Sequence, residues 1–256
     1  MRQIKAFTAK ELTELVRTGK LLLLMILFVL FGIMNPAIAK LTPWLLEMTA
    51  KSMADTGLTI TAIQVDATAS WTQFYKNVPL AMILFLLLCA GTLTNEYQKG
   101  TLINVVTKGL ERWKIFVSKW AVLAAVWTAG YWLLYGITYG YTAWFWDNSG
   151  VSHPGFSAMC LWLMGLWLVS LVMLASAVFS SGSAVLASVG VCFLALYLLS
   201  LLPALTKYLP THLLIASAVT LGGADMAEYG AAIAAAAGLV VVNLGMGIVL
   251  FNKMGL

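Results

Sequence analysis

The chain has 256 residues, of which 61% are hydrophobic and only 10% are charged. Soluble domains are about half apolar and about a quarter charged, so this composition excludes an ordinary soluble enzyme and indicates a polytopic membrane protein. The net charge of +5 does not indicate nucleic-acid binding, because the basic residues lie beside apolar segments.

Residues 1–20 predict an amphipathic helix that lies along the membrane interface. Ile4, Phe7 and Leu12 fall on one broad arc of this helix, although Lys5 and Glu11 interrupt that arc. Two interpretations stay open. The helix is a lipid anchor, or it is a lever between a partner protein and the first membrane span.

Six apolar segments are long enough to cross the bilayer, which requires about 20 helical residues. They are 21–39, 78–93, 117–142, 156–179, 184–202 and 229–251. The first segment is too long for a typical signal peptide and lacks a good small-residue cleavage site, so we expect it to be retained. The predicted fold is therefore an all-α membrane protein with one transmembrane domain over residues 1–256.

The distribution of lysine and arginine predicts the orientation of the chain. Eleven of them fall on the side that contains both termini, the loop after the second span and the serine turn near 180: Arg2, Lys5, Lys10, Arg17, Lys20, Lys99, Lys108, Arg112, Lys114, Lys119 and Lys253. Only four fall on the other side. Both termini are therefore expected in the cytoplasm. The protein is expected to be a multi-pass protein of the cell membrane, most simply a bacterial plasma membrane.

Residues 40–77 form the long predicted extracellular loop. Thr42 and Pro43 are typical of a helix start, and Asp66 is typical of the N-cap of a second short helix. The aromatic residues Trp71, Phe74 and Tyr75 are expected to anchor the membrane interface.

The predicted cytoplasmic loop, residues 94–119, is expected to contain a short helix of its own. Thr101 is expected to cap its start, and Gly109 is expected to end it in the left-handed conformation. The segment between them is too apolar for water and too short to span a bilayer, and its apolar residues are Leu102, Ile103, Val105 and Val106. Such a helix fits a groove on another protein, although a helix resting on the membrane surface is the alternative.

The same loop resembles that of the permease subunit of the second type of ATP-binding-cassette (ABC) exporter. The matching residues are Glu96, Gly100 and Thr101, in a Glu-x-x-x-Gly-Thr motif after the second span, and then Arg112 and Lys119. Many members have a Pro-x-Arg element before the third span, whereas this chain has Gly-Leu-Glu-Arg at 109–112. That stretch is similar to a Gly-Leu-Ser-Arg variant in a Gram-positive subset that includes exporters of amphipathic peptides.

The resemblance implies that the short helix docks on a separate cytoplasmic ATPase subunit, which would bind ATP and Mg. It also implies that Glu96 and Arg112 tie the loop to the N-terminal helix, and that two permease chains, expected to be identical, enclose a central cavity. This chain contains no Gly-x-x-x-x-Gly-Lys-Ser/Thr phosphate loop. It is therefore expected to hold no cofactor and not to be an enzyme itself. Its implied substrate is amphiphilic, namely a peptide, drug or lipid.

Four aromatic residues of the third span recur at steps of four, namely Trp127, Tyr131, Tyr135 and Tyr139. They share one helical face and either line a substrate pathway or pack the bundle. The middle of every span is uncharged, which disfavours ion-coupled transport. His153 and His212 are expected to be polar loop residues.

Two other classes of function remain open. A membrane scaffold or sensor could use the same cytoplasmic loop to hold a partner without transporting anything. An intramembrane enzyme is less consistent with the sequence, because no catalytic motif is present.

Overall fold

The computed structural model describes residues 2–53, 65–107 and 109–253, and over these ranges the regular elements are all helices. The α-helices are α1 (Arg2–Arg17), α2 (Lys20–Met53), α3 (Ala67–Cys89), α4 (Gly91–Gln98), α5 (Thr101–Thr107), α6 (Arg112–Trp146), α7 (Pro154–Ser176), α8 (Gly182–Leu199), α9 (Pro203–Thr206), α10 (Ser217–Thr220) and α11 (Gly230–Lys253). Short 3₁₀ helices occupy Asn148–Gly150, Pro210–Ile215 and Met226–Tyr229. Within the described ranges, six helical segments are long and apolar enough to cross a membrane, as predicted: α2, α3 with α4, α6, α7, α8 and α11.

Helix α2 is longer than the predicted first span and continues through Pro36 and Pro43 to Met53. The Thr42 hydroxyl donates to the Ile38 carbonyl at 2.8 Å, so Thr42 lies inside the helix and does not start a new one. The predicted helix start at Pro43 is therefore wrong. Prolines are tolerated inside membrane helices because neighbouring groups satisfy the freed backbone atoms. The part of the predicted outer loop between 54 and 64 lies outside the described residues.

Asp66 is the N-cap of α3, as predicted, and its carboxylate accepts from the backbone N–H groups of Thr68 at 3.0 Å and Ala69 at 3.3 Å. The helix that it starts is not short, because α3 runs unbroken into the second span. Trp71 and Phe74 are fully buried, and the rings of Phe74 and Tyr131 lie 6.3 Å apart. The prediction that these aromatic residues anchor the interface is therefore wrong, since they fill the contact with α6.

Helix α7 lies at the centre of the bundle and packs against α6, α8 and α11. Small residues allow the close contacts. A Cβ added at Gly165 would lie 2.2 Å from the Trp127 ring, and one at Gly130 would lie 2.2 Å from the Phe28 ring. Helices α8 and α11 have few buried side chains, so most of their apolar surface faces outward from the chain.

The segment between α8 and α11 folds back into the bundle. Leu213 and Ala216 are fully buried there. The Ser157 hydroxyl donates to the Ala216 carbonyl at 2.6 Å, and the Tyr75 and Thr220 hydroxyls lie 2.6 Å apart. The sequence predicts only that prolines end the fifth span, because this packing depends on contacts with distant helices.

Candidate functional site

The loop between α4 and α6 is shaped by two glycines. Gly100 has φ of +64° and Gly109 has φ of +85°, a region that residues with a Cβ rarely adopt. Gly100 donates its backbone N–H to the Tyr97 carbonyl, and Gly109 donates to the Val106 carbonyl. The predicted left-handed stop at Gly109 is confirmed, and Gly100 makes an equivalent turn at the end of α4.

Thr101 does not cap α5 in the predicted way, because α5 begins at Thr101 itself. Its hydroxyl instead donates to the Glu96 carbonyl at 3.2 Å. The motif threonine therefore ties the start of α5 to α4.

One side of helix α5 is buried against the rest of the protein, and the other side is exposed. Leu102 is buried in the core and Val106 is half-buried, whereas Ile103 is 47% exposed. The side chain of Val105 lies outside the described residues. An exposed isoleucine on a short helix that is already anchored provides an apolar contact point at the surface.

Five charged side chains, which we call the ion cluster, lie beside α5. Helix α1 contributes Lys10, Glu11 and Glu14, helix α4 contributes Glu96, and helix α6 contributes Lys119. The Lys10 ammonium contacts the Glu11, Glu14 and Glu96 carboxylates at 2.9, 2.9 and 2.5 Å. The Lys119 ammonium contacts Glu11 at 2.7 Å and Glu96 at 2.9 Å.

Four of these residues form a closed ring. The Glu11 carboxylate contacts Lys10 through Oε1 and Lys119 through Oε2, and the Glu96 carboxylate does the same. Lys119 also donates to the Thr92 carbonyl at 3.2 Å. The ring therefore links three helices that are far apart in sequence.

Because most of the ring is buried, the loss of any one of its charges is expected to destabilise the fold. The side chains of Lys119 and Glu11 are 1% and 4% exposed. A buried charge without its partner costs several kcal/mol, roughly 3–5, so each member depends on the others. Burial lowers the pKa of Lys10, but hydrogen bonds to Glu96, Glu11 and Glu14 outweigh it and raise that pKa above its ordinary value. The contribution of Lys10 to the free energy of unfolding is therefore complete below the ordinary lysine pKa. It is lost only as the pH rises through the higher pKa of the folded state.

The three glutamates also resemble a metal site, because their carboxylate oxygens lie within 4.8 Å of one another. However, the Lys10 ammonium contacts all three carboxylates. The lysine thus supplies the positive charge that a bound cation would supply, and the cluster is best described as an ion-pair network.

The resemblance implied that Glu96 and Arg112 tie the loop to the N-terminal helix, and Glu96 does so through Lys10 of α1. Arg112 donates to the Asn252 carbonyl at 3.3 Å and so ties the start of α6 to the end of α11. Lys119 pairs with Glu96 because it lies two turns further along α6, about 10 Å deeper in the bundle, where α1 and α4 converge.

The sequence prediction did not assign Lys10, Glu11 or Glu14 to the site. A signal was present, because Glu11 interrupts the apolar arc of the N-terminal helix. In the structure Phe7, Glu11 and Leu15 are all buried on one face of α1. A carboxylate between two buried apolar residues requires a cationic partner, although the sequence alone does not identify that partner.

The aromatic stripe of α6 divides into two parts. Trp127 and Tyr131 are fully buried and donate to the Trp162 carbonyl at 3.0 Å and the Ala158 carbonyl at 2.7 Å. Both residues pack α6 against α7. Tyr135 is half-buried and Tyr139 is 43% exposed. The role of these two in a pathway stays a prediction.

An apolar groove of about 420 Å³ lies between α3, α7 and α8. Its walls include Met82 and Leu86 of α3, Met164 of α7, and Val189 and Phe193 of α8. Such a lining suits hydrocarbon and offers almost nothing to a polar solute.

These features define a multi-pass helical membrane protein with a braced ion cluster at one end of its bundle. No protein-family model matches the chain. The chain is similar to the uncharacterized transmembrane protein YxlG of Bacillus subtilis (strain 168), with 22% identity over 218 residues that cover 83% of each chain. The similarity therefore extends over most of the membrane domain and is not confined to the loop.

Proposed function

We propose that this chain is the permease subunit of an ABC exporter that moves an amphiphilic substrate across the cell membrane. A separate ATPase subunit would bind and hydrolyse ATP with Mg, and a second permease chain would complete the pathway. The observation that carries this proposal is the ion cluster, which joins α1, α4 and α6 beside the exposed apolar residue of α5.

The ion cluster supports a mechanical role. A push on α5 reaches Glu96 through the hydrogen bond from Thr101 to the Glu96 carbonyl. Glu96 is held by Lys10 of α1 and Lys119 of α6, so α1, α4 and α6 would move together. This is the property required of an element that transmits ATPase closure to membrane spans.

The excess of Lys and Arg at the end of the bundle that holds α5 supports a cytoplasmic location for that end and for both termini. This orientation would place Ile103 on the side where ATP is available. It would also place the N-terminal helix at the cytoplasmic surface of the membrane, as a lever that is anchored by lipid.

The apolar groove between α3, α7 and α8 supports an amphiphilic substrate. Pro79 and Leu214 also line this groove, so it extends from the middle of the second span to the returning segment. A peptide, drug or lipid with a hydrocarbon portion would fit such a surface. A small hydrophilic ion would not.

The proposal is tested by gentle purification of the tagged protein from its native membrane, followed by mass spectrometry. We expect a stoichiometric partner that carries a phosphate-binding loop with the wild-type protein, and we expect Ile103→Asp to release it. Lys253→Asp is the control for added aspartate at the same end, because it changes the local charge even more than Ile103→Asp does but lies on α11.

Retention of the same partner by the Ile103→Asp variant would refute docking through α5. Recovery of a partner without a nucleotide-binding loop would favour the second candidate, a membrane scaffold or sensor. That candidate is supported by the same exposed isoleucine, because Ile103 could contact any cytoplasmic protein.

A further inference from the structure

A polar cavity of about 520 Å³ lies beside the ion cluster and is separate from the apolar groove. It is bounded by the second half of α1, the first residue of α2, and helix α4. Its lining residues are Lys10, Glu11, Glu14, Leu15, Thr18, Lys20, Gly91, Thr92, Asn95, Glu96, Lys99 and Thr101. The ion cluster forms one wall and Thr101 bonds to it, but Lys20, Asn95 and Lys99 have no part in the proposed coupling.

The bounds of the candidate spans would place this cavity at the depth of lipid headgroups. The first candidate span begins at Lys20 and the second ends at Gln98. The cavity therefore lies at the ends of two candidate spans, beside an amphipathic helix whose residues Leu12 and Val16 are exposed. Ligands at this depth are the polar ends of membrane lipids.

The charges that remain available to a ligand are of both signs. The lining holds Lys10, Lys20 and Lys99 with Glu11, Glu14 and Glu96, but Glu11 and Glu96 are already paired with Lys10 and Lys119. Lys20, Lys99 and Glu14 are left, so a headgroup with one negative and one positive charge can use all three, whereas an anionic headgroup uses only the lysines.

The unpaired groups determine where each ligand charge would bind. Lys10 is occupied by three carboxylates, but Lys20 and Lys99 have no ion-pair partner among the described residues. Glu14 uses one carboxylate oxygen for Lys10 and is 49% exposed. Lys20 and Lys99, with the Asn95 carboxamide, can therefore bind a phosphate, while Glu14 can accept hydrogen bonds from an ammonium.

We propose that this cavity binds the headgroup of a zwitterionic phospholipid with a primary ammonium, of the phosphatidylethanolamine type. Its phosphate contacts Lys20 and Lys99, and its ammonium contacts Glu14. A choline headgroup lacks N–H donors for Glu14, and a glycerol headgroup lacks the positive charge. This site does not depend on whether the chain transports anything.

The test is native mass spectrometry of the full chain in mild detergent, titrated with dioleoyl lipids that bear ethanolamine, choline or glycerol headgroups. We expect the wild-type protein to retain the ethanolamine lipid best. Each of Lys20→Gln and Lys99→Gln should weaken its binding about fivefold, and Glu14→Gln should lower its preference over the choline lipid about threefold. Lys5→Gln is the matched control, since Lys5 is exposed on α1 and does not line the cavity.

Equal binding of the three lipids by the wild-type protein would overturn the proposal without reliance on any variant. Unchanged selectivity in both lysine variants, in preparations that remain monodisperse, would also overturn it. Soluble glycerophosphoethanolamine distinguishes a lipid from a free phosphodiester. We expect it to compete poorly, and strong competition would refute a membrane lipid as the ligand.

Discussion

Lys119 is the residue that makes the N-terminal helix part of the bundle. Its ammonium is almost inaccessible and contacts both Glu11 and Glu96. The ammonium also lies over the ring of Phe7, 5.8 Å from the ring centre. Removal of this charge leaves two carboxylates at the junction of three helices with only Lys10 to balance them.

We therefore predict that Lys119→Met lowers the free energy of unfolding by about 3–5 kcal/mol, because a buried pair is broken. Denaturant unfolding in detergent, followed by circular dichroism, measures this loss. Lys114→Met is the matched control on the same helix, since Lys114 pairs with the exposed Glu111. The control should cost no more than about 1 kcal/mol. Equal losses for the two variants would contradict a special role for the ion cluster.

His212 predicts a response to acid at the opposite end of the bundle. Burial lowers the pKa of His212, and Glu228 opposes that effect only in part. Its ring stacks on Tyr229 with 4.7 Å between the centres. The unfolded chain therefore takes up a proton more readily, so the His212 contribution to stability is complete above the ordinary histidine pKa and is lost as the pH falls through and below it.

Thermal unfolding at pH 7.5 and pH 5 tests this expectation. His212→Phe keeps an aromatic ring against Tyr229 and should reduce the acid-induced fall in Tm. His153→Asn should leave that fall unchanged, since His153 is exposed and asparagine tolerates its left-handed backbone. An identical fall in the wild-type protein and the His212→Phe variant would rule out His212 as the group responsible.

Close approach of helices depends on glycines at particular positions of α6. A Cβ at Gly130 would lie 2.2 Å from the Phe28 ring, whereas one at Gly136 would meet nothing within 4 Å. We predict that Gly130→Ala lowers the free energy of unfolding by about 1–3 kcal/mol through overpacking. Gly136→Ala should be neutral, or stabilising by up to about 1 kcal/mol, because alanine favours the helix. Unfolding of the two variants in the same detergent compares them directly, and a similar loss in both would show that α2 and α6 are not packed as described.

Features governed by neighbouring residues were predicted well from the sequence. The left-handed turn at Gly109 and the cap at Asp66 both depend on local backbone chemistry, and both are confirmed. Span number was also predictable, because apolar length alone decides it. The C-terminal end of α2 was not predictable, because the continuation through Pro36 depends on packing, with Asn35 bonded to Thr138 at 3.0 Å.

The candidate site was predicted only in part, for the same reason. Glu96, Gly100 and Thr101 were identified by their motif, and Lys119 by its place before the third span. Their true partners in α1 are separated from Lys119 by as many as 108 positions, so sequence spacing could not pair them. The resemblance grouped Arg112 with Glu96 as residues that join the loop to the N-terminal helix, whereas Lys119 is the α6 residue that pairs with Glu96.

The whole molecule has α5 and the ion cluster at one end of a bundle of candidate membrane spans. Helix α5 presents Ile103 and is bonded to Glu96 through Thr101. The ion cluster ties α4 to α1 and α6, and the apolar groove lies between α3, α7 and α8. In the proposed ATP-driven permease, the transmission of force through Glu96 would join these parts. The central claim is therefore that ATP hydrolysis in a partner subunit depends on the ion cluster.

The most direct measurement is the vanadate-sensitive ATP hydrolysis of the complex purified through this chain and reconstituted in lipid, with and without Glu96→Lys. The account predicts hydrolysis with the wild-type chain, and a fall towards the rate of the isolated ATPase subunit when the charge of Glu96 is reversed. Glu111→Lys, at an exposed site outside the cluster, should keep the wild-type rate. No hydrolysis above that of a mock purification, or an unchanged rate in the Glu96→Lys complex, would contradict the account.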